Sequence, residues 1–124
     1  MTLIEAIQEF DSQRRNEVSI EQKIKWISEL DKKINAEYLE RRGAEVFSGY
    51  SERGSLDVVL KAPTEYTEIY SLYLNMKLDY MNGEIGRYNN SAMHFNRMYK
   101  ERNDFINRKH KINAKSGAGF MPYD

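Results

Sequence analysis

Proline occurs at only two positions in this 124-residue chain, Pro63 and Pro122, and glycine at seven. So few helix breakers leave long stretches on either side of Pro63, and such stretches fold as helices when their apolar residues recur every three to four positions. Thr2 to about Arg14 sets Leu3, Ile4, Ile7 and Phe10 on one face, and Thr2 with Glu5 spells a capping box. Ser19-Ile20-Glu21-Gln22 opens a second helix, about 19–41, in which Ile20, Ile24, Ile27, Leu30 or Asp31, Ile34 and Tyr38 recur at helical spacing. Lys23, Lys25, Lys32 and Lys33 alternate there with Glu21, Glu29 and Glu37, which reads as a solvated face. A third helix runs from Thr64 to about Asn82. Its Tyr66, Ile69, Tyr70, Tyr73 and Tyr80 alternate with Leu72, Leu74, Met76, Leu78 and Met81, so it is apolar on more than one face and belongs at the centre of a bundle. Asn82-Gly83 breaks the pattern. Glu84 to about Arg108 forms a fourth helix with Ile85, Tyr88, Ala92, Phe95, Tyr99 and Ile106 on its inner face.

Between the second and third helices the pattern changes. Gly43, Gly49 and Gly54 interrupt it, and Val46, Phe47, Tyr50, Leu56, Val58, Val59 and Leu60 form short β-prone runs about Ser51–Ser55. The expected fold is therefore mainly all-α: a small four-helix bundle with a β-hairpin or extended arm, about 44–60, between helices 2 and 3. Residues 1–111 make one domain, and 112–124, with its Gly-rich spacer and Phe-Met-Pro-Tyr tip, reads as a flexible tail.

Charge and composition narrow the function. Nineteen basic and nineteen acidic side chains cancel, yet residues 87–115 hold eight basic residues against Glu101 and Asp104, a local +6 that leaves the remainder net acidic. Cysteine is absent, which removes disulfides, thiol nucleophiles, iron–sulfur clusters and cysteine-containing zinc sites. The opening MTLIEAIQEF carries Glu5 and Glu9 where a signal peptide would be basic and then apolar, and no apolar run approaches a membrane span; an intracellular protein without membrane contact is expected. His94 and His110 belong to no metal or triad pattern, and Glu29 and Asp31, two apart on a helix, point in different directions. No phosphate-binding loop is spelled; Gly117-Ala118-Gly119 follows no strand. The expectation is no enzyme, no metal and no cofactor.

Nucleic-acid binding by the basic 87–115 segment competes, since a basic helix with aromatics can contact phosphates and stack on bases. Tyr88, Phe95 and Tyr99 nevertheless fall on the inner stripe, where core packing is the simpler use. The tyrosines of the third helix suit a bundle centre and also a subunit interface, because tyrosine joins a large apolar area to a polar tip.

The order of motifs adds a resemblance. Ile24-Lys-Trp-Ile-Ser-Glu-Leu-Asp-Lys-Lys-Ile34, then Asp57-Val-Val-Leu-Lys-Ala-Pro63, Tyr66-x-x-Ile69-Tyr70-x-x-Tyr73-Leu74, Asp79-Tyr-Met-Asn-Gly-Glu84, Arg87-Tyr-Asn-Asn-Ser91 and Phe95-Asn96-x-x-Tyr99 resemble the small head–tail connector (adaptor, head-completion) proteins of tailed phages and prophages, over roughly residues 1–110. The resemblance implies a helical virion protein of the neck, made in the host cytoplasm. Copies would assemble as a ring of about a dozen by closure of a heterologous interface. It would sit under the portal protein, pass DNA through its channel without sequence readout, and offer a platform to the next neck or tail protein. It carries over no catalytic residues. Under this reading Phe47 and Tyr50 of the hairpin, and Tyr66, Tyr70 and Tyr73 of the third helix, are expected at contacts between copies. Arg108, Lys109, Lys111, Phe120, Met121 and Tyr123 are expected to engage the portal or a neighbour. A small helical DNA-binding or regulatory protein is the alternative.

Overall fold

Helix α1, Leu3–Gln13, begins where the Thr2 Oγ1 accepts the Glu5 N–H at 3.3 Å and Glu5 Oε1 accepts the Thr2 N–H at 2.8 Å, the expected capping box. It buries Leu3, Ala6, Ile7 and Phe10. Helix α2, Ile20–Ile34, starts at Ser19, whose hydroxyl accepts the Gln22 N–H at 3.1 Å, and buries Ile24, Trp26, Ile27, Leu30 and Ile34. It is shorter than the expected 19–41. At Asn35 it passes into a π-type turn, Asn35–Leu39, and the buried Asn35 amide donates to Glu40 Oε2 at 2.9 Å and to the Glu45 carbonyl at 2.8 Å, fixing where the chain reverses. The structure, a computed structural model, describes residues 1–40 and 43–118, with side chains for all of these except Tyr38 and 110–118.

After Pro63 a short 3₁₀ turn, Thr64–Tyr66, leads into α3, Glu68–Met81, which packs against α1, α2 and α4. This is the central position that apolarity on several faces predicts. Ile69, Tyr70, Leu74 and Leu78 are buried, and on the flank towards α4 the Tyr73 ring meets Phe95 and the Tyr66 ring meets Phe105, both pairs 5.2 Å apart. Gly83, at φ +69°, takes the left-handed conformation that lets α3 stop and α4, Ile85–Ala118, return antiparallel beside it. Phe95 and Tyr99 of α4 join the single core as expected, but Ile85, placed on the inner stripe by its spacing, is 74% exposed because it belongs to the first turn, beyond the reach of α3.

Three further expectations change. The β-hairpin is absent: among the described residues there is no strand, and the 44–60 segment pairs only through one antiparallel bridge, Thr2 with Val59. Its backbone bonds go to α1 instead. Leu3 N–H donates to the Val58 carbonyl, Ile4 N–H to the Leu56 carbonyl, and Leu60 N–H to the Met1 carbonyl, each at 2.9 Å. With the capping box, these bonds satisfy all four amides that the start of a helix leaves without an intrahelical partner. The segment is a strap on its own bundle, which differs from the expected arm towards a neighbour. Second, Lys23 is buried, its ammonium 2.7 Å from Asp11 across the α1–α2 contact, and so leaves the solvated face. Third, α4 continues to Ala118, into the segment read as a tail from 112; residues 119–124 lie outside the described residues.

Candidate functional site

The strap is held by chemistry that spacing alone does not show. Asp31, fully buried on α2, accepts hydrogen bonds from the Tyr50 hydroxyl, from the Tyr70 hydroxyl at 2.7 Å and from the Lys61 N–H at 3.2 Å; the Tyr70 oxygen in turn accepts the Ala62 N–H at 2.8 Å. One carboxylate thus ties α2, α3 and both ends of the strap's later half. Burial pushes the Asp31 carboxyl above the usual aspartate range, against the pull of the two tyrosines and the Lys61 amide. The same burial, with the carboxylate alongside, pushes both tyrosine hydroxyls well above theirs, so they remain donors. Tyr50 N–H donates to Ser28 Oγ at 2.8 Å, which brings the strap close to α2 at Gly49. Gly49 has φ +111°, and a Cβ there would lie 3.2 Å from Lys32 Cε and 3.4 Å from Ser28 Cβ, so both conformation and space call for glycine.

A second polar cluster joins the far ends of three helices. Arg14 Nη2 lies 2.7 Å from Asp79 Oδ1, Arg14 Nη1 donates to Asn75 Oδ1 at 3.0 Å, and Ser91 Oγ donates to Asp79 Oδ2 at 2.6 Å. Burial alone would raise the Asp79 carboxyl; the Arg14 and Ser91 bonds outweigh it and hold the group below the usual range. Arg102, fully buried on α4, lies 5.0 Å from the centre of the Tyr99 ring and donates to Asn103 Oδ1 at 2.7 Å. These buried polar groups bind one another or the backbone; Ser28 and Tyr50 also line an open cleft between α2 and the strap, and Asp79 lines a groove at the α3–α4 turn. Among the described residues, no three His, Cys, Asp or Glu side chains are grouped to hold a metal ion, and no helix is long and apolar enough to cross a membrane.

The expected contact residues separate accordingly. Tyr70 is 1% exposed and Tyr50 half-buried, each with its hydroxyl on Asp31, so the packing of their own chain takes up the surface assigned to a neighbour. Phe47 packs on the Tyr50 ring at 4.7 Å with Lys61 Nζ 4.6 Å over its face. Tyr66 and Tyr73 are half-buried against α4. Arg108 and Lys109 are exposed, with Lys109 Nζ 3.9 Å from Glu65. Lys111 lies on α4 with its side chain outside the described residues, as are Phe120, Met121 and Tyr123 entirely.

Besides Val46 and Val59 exposed on the strap, two surface features fall at the two ends of the α3–α4 pair. At the turn, Tyr80 and Ile85 are 72% and 74% exposed, and with Tyr88 they border a largely apolar groove of about 330 Å³; the exposed Met81 faces away from it, towards Arg14 and Val18. Tyr80 and Tyr88 stand 5.6 Å apart as the groove's aromatic side. At the other end, Phe105 and Lys109 of α4 meet Tyr66 and Glu65, which precede α3, and α4 then runs on for nine residues to Ala118, about 13 Å of helix. An open groove of about 410 Å³ between α2 and the strap is lined by both signs of charge, Glu21, Glu29 and Glu52 against Lys25 and Lys32, and is a solvated cleft. Sequence reasoning read the turn only as a break, though the adjacency of Tyr80-Met81 to Ile85 across Asn82-Gly83 signals an apolar turn.

Compared with family models, curated proteins and solved structures, the chain matches none.

Proposed function

We propose that this chain is a structural subunit of a tailed-phage or prophage neck, working by assembly and without turnover of a substrate. The observation that supports this reading best is the division of labour between interior and surface. The buried ionisable groups described above bond within the fold, while Tyr80 and Ile85 stand exposed at one end of the α3–α4 pair and Arg108 and Lys109 at the other. A surface of that kind suits contacts with other protein copies. In this reading the subunits close into a ring beneath a portal, and the nearly balanced outer charge lets DNA pass without tight binding. The test is assembly: the purified chain mixed with the portal protein encoded beside it, examined by negative-stain microscopy and sedimentation, is expected to form rings on the portal. Absence of any complex at micromolar concentration of both would overturn the reading.

DNA binding by residues 87–115 is the second reading, and the structure weakens its charge. Of the eight basic residues there, Arg102 is buried, while Arg87, Lys100 and Lys109 lie within 3.9 Å of Glu84, Asp104 and Glu65. Salt-dependent affinity for duplex DNA, with a slope reflecting several phosphate contacts, would favour it over the connector.

A further inference from the structure

From the exposed turn, the length of α4 and the composition of the chain beyond it, we infer that the apolar groove at the α3–α4 turn receives the Phe120-Met-Pro-Tyr123 segment of a second copy of this chain. This deepens the ring reading and rests on it for closure of the assembly.

The groove asks for an occupant. Ile85 and Tyr80 are 74% and 72% exposed and both line the groove with Tyr88, a concentration of large apolar side chains at a helical turn that solvation does not explain. Aromatic walls at Tyr80 and Tyr88 suit an aromatic or methionine side chain. The charged side chains lining the groove, Asp79 and Glu84, are both carboxylates, each paired with an arginine, Arg14 and Arg87 respectively. They leave the floor apolar and the rim without a cation of its own lining. The segment from Phe105 to Tyr123 holds Arg108, Lys109, Lys111 and Lys115 and no acidic residue, and it ends in Phe-Met-Pro-Tyr behind Gly117 and Gly119. With its carboxylates already paired the groove is nearly neutral, and it is the apolar tip that complements it; the cationic helix supplies the reach.

Reach decides whose tail it is. Helix α4 starts at the groove with Ile85 and carries the chain 34 residues away, about 51 Å at 1.5 Å per residue. The six residues after Ala118 span at most about 20 Å when fully extended. A chain's own tip therefore falls about 30 Å short of its own groove, whereas the groove of an adjacent copy placed end to end along α4 lies within reach. Donor and acceptor at opposite ends of one helix make the contact heterologous, the kind that repeats from copy to copy and closes when the rotation permits.

The chain contains no cysteine, so engineered thiols report the contact without background. Full-length chains carrying Ile85→Cys and Met121→Cys are mixed under mild oxidation, with Ser12→Cys, on exposed α1 surface, as the comparison partner for Met121→Cys. The expected result is a mixed disulfide dimer forming at least tenfold faster with Ile85→Cys than with Ser12→Cys, and loss of that preference when Tyr80→Asp is added to the Ile85→Cys chain. Circular dichroism and melting of the Tyr80→Asp chain check that its fold is kept; the milder Tyr80→Ser serves in its place if it is not. Equal rates with the two partners would overturn the inference. So would faster self-dimerisation of Ile85→Cys alone, which indicates groove-to-groove pairing, and so would an internal disulfide in a monomeric Ile85→Cys/Met121→Cys chain. Rings on the portal without the cross-link would sink this contact and leave the connector standing; the cross-link without portal binding would do the reverse.

Discussion

The Tyr70 hydroxyl on α3 donates to the Asp31 carboxylate on α2 at 2.7 Å, and neither group reaches solvent. Two helices and the strap are registered against one another by this pair, since Tyr70 also accepts the Ala62 amide while Asp31 accepts the Lys61 amide.

Tyr70→Phe keeps the ring and removes both of these bonds, leaving the Ala62 amide without its acceptor. The expected loss is about 1–3 kcal/mol of unfolding free energy, read from the urea midpoint at constant slope. A change within 0.3 kcal/mol would show that the hydroxyl contributes nothing net.

Asp31 gives the pH dependence a defined sign. Burial raises its folded carboxyl above the ordinary value of about 3.9, so the protonated form is favoured by folding. Its contribution is fully present below about pH 3.9 and is lost as pH rises through the folded value. Asp79 acts oppositely: its lowered carboxyl contributes stability above about pH 3.9 that is lost as pH falls through the folded value. Urea titrations from pH 3 to 7 should therefore show the parent losing stability relative to Asp31→Asn as pH rises from 4, and losing stability relative to Asp79→Asn as pH falls below 4. Parallel curves for either pair would contradict the assignment.

Gly49→Ala meets both a left-handed backbone and the Lys32 and Ser28 side chains. A loss of about 1–2 kcal/mol is expected, against under 0.5 for Gly54→Ala, which has no positive φ and nothing closer than the Ser51 carbonyl at 3.4 Å. Thermal melts of the two variants side by side make the comparison.

Deleting 45–58 removes the carbonyls that cap α1 and the Tyr50 contact to Asp31. Reduced helicity and loss of a cooperative melt by circular dichroism are expected. A folded helical monomer that merely fails to oligomerise would restore the strap to the role of an arm between copies.

Periodicity and caps made the helices legible. Thr2-x-x-Glu5 and Ser19 behave as their sequences promise, and the spread of apolar residues along 64–82 marks the central helix. The polar interior was not legible for a physical reason: Asp31 and Lys23 look like surface residues on their own helix, and only the arrival of Tyr50, Tyr70 and Asp11 from elsewhere in the chain makes their burial tolerable. The 44–60 segment showed strand-forming residues correctly as a preference for extended backbone, but its amides and carbonyls are satisfied by a helix start, an arrangement that local sequence does not encode. At the candidate contact a cationic stretch with an apolar tip is legible, and Tyr80 and Ile85 about Asn82-Gly83 mark an apolar turn, but the groove itself is not, because its walls come from two helices meeting at Gly83.

The bonds from α1 to the strap also set an order of events. As the chain leaves the ribosome, Leu3–Gln13 emerges before the strap, and its opening turn lacks the Leu56 and Val58 carbonyls until more than forty further residues have been made. Helix α1 is thus made before the strap and completed only with it, and the amide protons of Leu3, Ile4 and Leu60 should exchange with solvent together, as one unit, although more than fifty residues separate Ile4 from Leu60.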